Sequence, residues 1–220
     1  MKFEKTEVWG FEHALRGMRN PLESWNKSDS EWESHINYNN NEAYVKFAIG
    51  KNDLELAQKL IRAGEPHRKF LRQIFVSVDI TAPLYWWKEF DTYKVGTVAN
   101  STSTMHKLAS TPITRDCFEM DDFEELIDED ISLPSIWFCA ICDLETLRKK
   151  YNETKDKRYW KELIRLLPES WLQTRTITMN YENILNMITY RQNHKLTEWS
   201  ESFINWTKSL PYAEELLFVK

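Results

Sequence analysis

The sequence predicts an α+β fold with a small antiparallel or mixed sheet flanked by helices. Two observations lead to this class. Helical periodicity covers more of the chain than strand alternation, and helical segments separate the strand-like ones. Only five Gly and seven Pro interrupt the 220 residues, and no repeat or low-complexity linker is apparent. We therefore expect residues 1–220 to form a single domain, large enough to fold without disulfides.

Two helical segments precede the first predicted strand. Residues 10–20 predict a short helix that ends before Pro21, because the residue before a proline disfavours the helical conformation. Residues 21–40 are polar and rich in Ser and Asn, which indicates a loop. A second helix begins at Asp53, presents apolar side chains on one face and ends at Gly64.

The middle of the chain begins with a strand. Residues 70–80 alternate apolar and polar side chains, which predicts a β-strand. Pro83 suits the first turn of a helix over residues 84–90. Residues 95–104 are small and polar and predict a loop. Residues 121–130 carry seven acidic side chains, which indicate a solvated helix face, although a cation site is an alternative.

The C-terminal third is predicted to be mostly helical, with one strand. The apolar pattern predicts helices, and Thr alternation predicts the strand. The helices are expected at 135–150, 157–167, 181–191 and 195–208, the strand at 173–179, and a last turn at 212–218.

Composition limits the classes of function. The 29 basic and 34 acidic residues give a net charge of -5, which argues against a nucleic-acid partner because phosphate binding favours a basic surface. No segment approaches the ~20 apolar residues of a membrane span, so we expect no membrane partner. The start of the chain lacks the apolar run of a signal peptide, which favours a cytoplasmic location.

The cysteines do not indicate a metal site. Cys117, Cys139 and Cys142 form an odd set, as in a reducing compartment. Cys139 and Cys142 have CxxC spacing but lie in an apolar run, with no further ligands to complete a zinc site. We interpret them as buried core thiols, a common environment for free cysteine. The ten Trp favour packing or interfaces, or alternatively the face of a planar ligand.

The segment from Asn180 to Arg191 is the most informative part of the sequence. An apolar helical face separates the two polar ends, which lie about three turns apart at ~3.6 residues per turn. His194 and Glu198 follow. An arginine on an apolar face needs an anionic or carbonyl partner, because its charge cannot be neutralised. Arg191 is therefore the strongest ligand-binding candidate, with pairing to Glu198 or to a helix C-terminus as the alternative.

Two earlier segments supply further candidates. His67 stands just before the first predicted strand, where it either serves a ligand or caps a turn. Lys94, Asn100 and Ser103 belong to a segment with hydroxyls, small residues and a cation, which suits a phosphate-holding loop. An ordinary Ser/Thr loop between helices is an equal alternative.

From about residue 60 to 200, the chain resembles the flavin-dependent thymidylate synthases. The order of elements and the C-terminal spacing carry the resemblance. That family's central signature is Arg-His-Arg, a short spacer and Asn-Glu-x-Ser-x-Arg-Tyr, in which guanidinium groups hold phosphates. Asn100 and Ser103 match it, and Lys94 retains a charge. The departures stand at Thr92, Tyr93, Met105 and Glu182.

The resemblance implies an enzyme that reductively methylates dUMP to dTMP. It implies FAD and NADPH as cofactors, methylenetetrahydrofolate as the carbon donor and a homotetramer. Arg191 would contact the pyrimidine and Ser103 would lie near the nucleotide phosphate. The flavin region would be held by His67, Lys94, Asn100, Asn180 and His194.

Two other functions remain open. The missing guanidinium groups favour a nucleotide-binding protein that has lost catalysis. A protein-interaction role would use the Trp-rich surface and the acidic 121–130 segment. Retained flavin distinguishes the enzyme from the interaction protein, and dTMP formation distinguishes it from the nucleotide-binding protein.

Overall fold

The strands form a four-stranded sheet and a separate two-stranded hairpin. The computed structural model describes residues 1–37, 42–121 and 133–219. The sheet has the order β1-β4-β6-β5, and β2 pairs with β3 in antiparallel register. The strands are β1 (Lys2–Trp9), β2 (Glu31–Asn37), β3 (Glu42–Ala48), β4 (Phe75–Pro83), β5 (Val98–Ser101) and β6 (Leu172–Asn180).

Helices account for most of the remaining described residues. A π-helical segment, Glu198–Phe203, leads directly into one of them, and Lys69–Gln73 forms a 3₁₀ turn. The α-helices are α1 (Phe11–Arg19), α2 (Lys51–Arg62), α3 (Leu84–Phe90), α4 (Thr104–Lys107), α5 (Leu133–Thr154), α6 (Lys157–Arg165), α7 (Tyr181–Arg191), α8 (Ile204–Lys208) and α9 (Ala213–Leu216). The α+β class with a small sheet flanked by helices is confirmed. Within the described ranges, no helix combines the length and apolar character that crossing a membrane requires.

The chain divides into two compact units. Unit 1 comprises Met1–Glu4, Asp79–Thr92 and Ala99–Thr176, and unit 2 comprises Lys5–Val78, Tyr93–Val98 and Ile177–Lys220. All four strands of the larger sheet contribute residues to both units. The expectation of a single domain over residues 1–220 stays a prediction.

Side-chain hydroxyls line the pairing of β4 with β6. In unit 1, Thr81 Oγ1 lies 2.7 Å from Thr174 Oγ1. Thr176 Oγ1 donates to Asp79 Oδ1, so the partner positions fall along β4 as they rise along β6, and the pair is antiparallel. The alternate residues of β4 are buried and apolar, which is the pattern of a strand with one face on a core.

Each unit has its own apolar core. The core of unit 1 joins α5 and α6 to the segment before them through Leu108, Ile113, Phe118, Leu144 and Leu163. The core of unit 2 contains fully buried side chains from its helices, including Leu15, Ala57, Ile184, Met187, Trp199, Phe203 and Leu216. Tyr181, at the start of α7, donates from its hydroxyl to the carbonyl of Pro211 at 2.6 Å.

Most predicted helices are confirmed, with ends within a few residues. α1, α3, α6 and α7 follow the expected ranges, and Pro83 directly precedes α3. α2 begins two residues before Asp53, and Gly64 follows it with φ of +94°, a conformation that favours glycine. The predicted strand at 173–179 is β6.

Three segments were predicted wrongly. Residues 21–40 were expected to be a loop but include β2, which pairs with β3 through backbone hydrogen bonds while exposing polar side chains. The strand expected from residue 70 begins at Phe75, because Lys69–Gln73 forms the 3₁₀ turn. Residues 95–104 include β5, whose four side chains are all exposed. The acidic 121–130 segment lies outside the described residues, apart from Asp121.

The prediction of buried thiols at Cys139 and Cys142 is wrong. Both side chains are exposed on α5. Leu144 is buried on this helix, and Trp137 and Ile141 pack against the same core. At ~100° per residue, the two cysteines fall on the opposite face.

Glu145 on α5 ties the preceding loop to the helix. Its carboxylate accepts from the Ile113 backbone N–H at 2.9 Å and from Arg148 Nε at 2.6 Å. The hydrogen bond from Arg148 is the main reason that the pKa of Glu145 falls to about 2, because it favours the charged form.

We therefore expect the stability contributed by Glu145 to be lost at acidic pH. A lowered folded-state pKa stabilises the protein above the unfolded value of 4.5, and the contribution fades as the pH falls towards about 2. Denaturant unfolding of wild type and Glu145→Gln should differ at pH 6 and converge across this window. Glu153→Gln, at an exposed position on the same helix, is the control. A difference that persists unchanged below that window would contradict the prediction.

Candidate functional site

Helix α7 in unit 2 organises most of the candidate residues. Asn180 is its N-cap: its side chain accepts from the Asn183 backbone N–H at 3.0 Å, and Asn183 Oδ1 accepts from the Asn180 backbone N–H at 3.2 Å. This reciprocal capping box satisfies N–H groups at the helix start. Asn180 is buried. Asn180 and Arg191 therefore stand at opposite ends of one rigid helix, roughly 16 Å apart along its axis at ~1.5 Å per residue.

The loop from Tyr93 to Val98 lies against the start of α7. Asn183 Nδ2 donates to the Val95 carbonyl at 2.7 Å. Gly96 has φ of +77°, and a Cβ there would stand 3.0 Å from Asn180 Nδ2. Glycine is therefore required for both its backbone conformation and the close approach to the cap. The capping pair thus positions the loop that carries Lys94.

Replacing Asn180 with Ala is expected to destabilise unit 2. The substitution removes the cap, and such losses cost about 0.5–2 kcal/mol of the free energy of unfolding. Chemical denaturation measures the change, and Asn193→Ala, in the exposed turn after α7, is the control. Equal stability of the two variants would show that the cap contributes nothing.

The guanidinium of Arg191 lies beside two neighbouring aromatic rings, whose centres are 6.2 Å apart. Its Nε donates to the Tyr93 hydroxyl at 3.0 Å. Its guanidinium carbon lies 4.9 Å from the centre of the Trp199 ring and 5.6 Å from that of Tyr93. Trp199 is fully buried, so this face of the planar cation has a fixed, low-dielectric neighbour. The sequence analysis offered a ligand, Glu198 or a helix C-terminus as the partner of Arg191, and it did not predict these aromatic contacts.

His194 lies in the turn that follows α7. Its backbone N–H donates to the Arg191 carbonyl at 3.0 Å, and its Nδ1 accepts from the Leu196 backbone N–H at 3.1 Å. Accepting at Nδ1 assigns the ring proton to Nε2 in the neutral form. Lys94 directly follows Tyr93 and is exposed. Four candidates therefore lie in α7, next to its ends or in the loop bound to its start: Asn180, Arg191, His194 and Lys94.

His67 occupies a different wall of unit 2. It is exposed, and its backbone N–H closes a turn by donating to the Gly64 carbonyl at 3.0 Å. The residue lines a cleft of about 450 Å³ with Asn20, Lys69 and Phe70 among its neighbours. His67 therefore belongs to a turn, as one interpretation proposed, and also borders a space large enough for part of a ligand.

Glu182 is a buried carboxylate that forms an ion-pair cluster with two partly exposed arginines, and the sequence did not reveal this cluster. Glu182 stands where the resemblance expects an arginine. Its carboxylate accepts from Arg72 Nε and, at 3.5 Å, from Arg68 Nε. Arg68 also donates to Asn186 Oδ1 at 2.9 Å. The hydrogen bond to Glu182 raises the pKa of Arg72. The charges of these two arginines are thus engaged within the protein, which leaves less positive charge for an anionic ligand.

Ser103 and Asn100 belong to unit 1. Ser103 is the N-cap of α4, and its Oγ accepts from the His106 backbone N–H at 3.1 Å. Asn100 is exposed in β5. The adjoining chain is held to β6, since the Thr102 backbone N–H donates to the Thr174 carbonyl at 2.9 Å and Gln173 Nε2 donates to the Thr102 carbonyl at 2.8 Å. The other five candidates belong to unit 2.

The two aromatic residues that contact Arg191 were not among the predicted site residues. Tyr93 was noted only as a departure from the resembled signature, and Trp199 was not singled out. The position of Tyr93 beside Lys94 is the one sequence signal that could have identified it. Within residues 1–37, 42–121 and 133–219, no cluster of three or more His, Cys, Asp or Glu suits a metal ion.

Comparison with known proteins identifies the fold. No protein-family model matches the chain, and no curated protein sequence matches it. Two crystal structures of the flavin-dependent thymidylate synthase ThyX from Helicobacter pylori, each with FAD and dUMP, are similar to it with a TM-score of 0.67. Both are 17% identical and cover 99% of this chain; 98% of one ThyX chain and 97% of the other are covered. The likeness confirms the expected fold over nearly the whole length.

Proposed function

We propose that this protein is a divergent flavin-dependent thymidylate synthase-like enzyme that binds FAD and dUMP. The observation that carries the proposal is the fixed Arg191 on a fold shared with ThyX. The guanidinium is a planar donor group, and the Tyr93 hydroxyl and the Trp199 ring orient it. Its side chain therefore loses little conformational entropy when a ligand binds. Such donors match the carbonyl oxygens of a pyrimidine.

The donor set fits a ligand that is both planar and anionic. Lys94 is an exposed cation, and the loop that carries it is fixed by the α7 cap. His194 provides a ring N–H beside the end of α7. In the proposal, Arg191 orients the pyrimidine and Ser103 lies near its phosphate. The flavin region is assigned to His67, Lys94, Asn100, Asn180 and His194.

The finer reaction is reductive methylation of dUMP to dTMP. NADPH serves as reductant and methylenetetrahydrofolate as carbon donor. Bound flavin supplies hydride transfer, and the protein contributes positioning and electrostatic stabilisation. We also propose a cytoplasmic homotetramer, in keeping with the resemblance.

A second candidate function is that of a protein that binds a nucleotide but does not catalyse a reaction. The observation in its favour is the Glu182 cluster, which engages Arg68 and Arg72. Each charge-assisted bond to a ligand contributes ~1.5–3 kcal/mol, so losing such bonds can remove catalysis while leaving weaker binding. A protein-interaction role on the same fold is the remaining alternative.

A visible absorption spectrum tests the proposal most directly. Purified protein is examined before and after incubation with FAD and desalting. The expected result is a retained flavin band that shifts when dUMP is added, followed by dTMP formation with NADPH and methylenetetrahydrofolate. Retained flavin without dTMP would favour the second candidate. Absence of flavin from both samples would contradict the proposal.

A further inference from the structure

A second cleft, in unit 2, includes five large aromatic side chains in its lining. It has a volume of about 440 Å³ and lies between the end of β1, the start of α1, the β2–β3 hairpin and the turn before α9. Its described lining includes none of the seven candidate residues. We call it the aromatic cleft. Its rings are those of Trp9, Phe11, Trp32, Phe47 and Tyr212.

Contacts among these rings hold the cleft in shape. The Phe11 and Tyr212 ring centres lie 5.5 Å apart, and those of Trp32 and Phe47 lie 5.2 Å apart, both edge to face. The Tyr212 hydroxyl accepts from the Ile49 backbone N–H and donates to the Phe47 carbonyl, each at 3.0 Å. The walls are therefore positioned before any ligand arrives, which reduces the entropy lost on binding.

Three large apolar side chains of the cleft are substantially exposed to solvent. Trp9 is 45% exposed, Trp32 56% and Val45 61%. The volume falls within the range of small-molecule sites, which are typically lined by aromatic side chains with a few polar groups. Rings of this kind bind another ring through stacked or edge-to-face contact.

Lys46 is the cation that an acidic ligand would meet at the cleft, and Glu12 is the carboxylate in the same lining. Glu12 Oε2 accepts from Trp32 Nε1 at 3.1 Å, which orients the carboxylate along the Trp32 side of the cleft and leaves it negatively charged. Lys46 is exposed, and its Nζ lies 5.7 Å from the centre of the Tyr212 ring. Within the described ranges, Lys46 forms no ion pair. His13 adds an exposed imidazole to the lining.

We propose that the aromatic cleft binds a planar aromatic molecule that carries an acidic substituent. The ring packs against Trp9 and Trp32, and the acidic group pairs with Lys46. The proposal is independent of the function assigned to the α7 residues, because it uses a different set of side chains.

Calorimetry on the full chain with 2-naphthoate tests the site. We expect saturable binding of one molecule per chain, with weaker binding of the neutral 2-naphthalenemethanol and of the cationic 2-naphthylmethylammonium. Lys46→Ala and Trp9→Leu should each weaken 2-naphthoate binding about fivefold or more, the scale of one lost charged or ring contact. Val45→Glu places a negative charge at the cleft and should weaken binding without removing a ring.

Matched control variants distinguish a loss of binding at the aromatic cleft from the general effect of removing a tryptophan or a lysine. Trp25 is also 45% exposed but does not line the aromatic cleft, so Trp25→Leu is the control for Trp9→Leu. Lys59→Ala is the control for Lys46→Ala. Absence of saturable binding, equal affinity for the ammonium probe, or insensitivity to all three cleft variants would overturn the proposal. So would sedimentation showing that Val45→Glu dissociates a self-associated protein, because a second copy would then cover the cleft.

Discussion

Replacing Arg191 with Ala is expected to weaken dUMP binding by about tenfold to a hundredfold, since a charge-assisted hydrogen bond contributes ~1.5–3 kcal/mol. The substitution removes a cation that the Tyr93 hydroxyl and the Trp199 ring hold in one orientation. Arg191→Lys keeps the charge but loses the planar donors and should recover little of the affinity. Calorimetric titration with dUMP, on protein loaded with FAD, measures the effect.

Two further variants make the result specific. Arg165→Ala removes an exposed arginine that pairs with Glu162 on α6, and it should leave dUMP binding unchanged. Tyr93→Phe keeps the ring but removes the hydroxyl, so it should cause a smaller loss than Arg191→Ala. If Arg191→Ala binds dUMP as wild type does and melts at the same temperature, the nucleotide site cannot depend on this arginine.

Replacing Asp53 with Ala is expected to lower the free energy of unfolding by about 3–5 kcal/mol, the usual cost of removing one partner of a buried ion pair. Asp53 is fully buried and accepts from Arg19 Nε at 2.5 Å. It also accepts from the hydroxyls of Ser28 and Ser30, each at 2.6 Å. The substitution leaves the guanidinium of Arg19, itself buried, without this carboxylate. Denaturant unfolding measures the loss.

The exposed pair on the same helix provides the control. Lys51 and Glu55 are both largely exposed, so Glu55→Gln should change stability by less than about 0.5 kcal/mol. The double variant Arg19→Met, Asp53→Leu replaces the pair with apolar groups and should recover much of the loss. Equal stability of Asp53→Ala and Glu55→Gln would refute the role assigned to the buried pair.

The same pair predicts a dependence on pH. Burial raises the pKa of Asp53, but hydrogen bonds from Ser28, Ser30 and Arg19 together outweigh burial and hold it below the ordinary value of 3.8. A lowered folded-state pKa means that the stabilisation is complete above about 3.8 and declines as the pH falls further. Unfolding curves of wild type and Asp53→Asn should therefore approach each other in that acidic range.

Local signals explain why the helices were predictable and the hairpin was not. α7 carries its apolar spacing, its capping asparagine and its terminal arginine within one stretch of sequence, so its bounds were confirmed. β2 exposes polar side chains and depends on pairing with β3 for its backbone hydrogen bonds. The large apolar residues of β2 are Trp32 and Ile36, both exposed, and they are too few to outweigh the polar composition of residues 21–40. The segment was therefore interpreted as a loop.

The candidate site also has features that local sequence predicts and features that depend on contacts between distant segments. Sequence spacing located Asn180 and Arg191 on one helix, because a helix converts residue number into distance. The ring of Trp199 and the hydroxyl of Tyr93 reach Arg191 from segments 8 and 98 positions away in the chain. The pairing of Glu182 with Arg68 spans 114 positions. Contacts at such separations have no local signature.

Residue type, periodicity and caps were therefore sufficient for the class of fold, for most helices and for the placement of Asn180 and Arg191 at the two ends of one helix. These properties depend on interactions within a few residues, which the order of amino acids specifies directly. The partners of Arg191, the arginines that engage Glu182 and the rings of the aromatic cleft were visible only in three dimensions. They arise where distant segments are brought together by burial of apolar surface, and that burial is distributed over the whole chain.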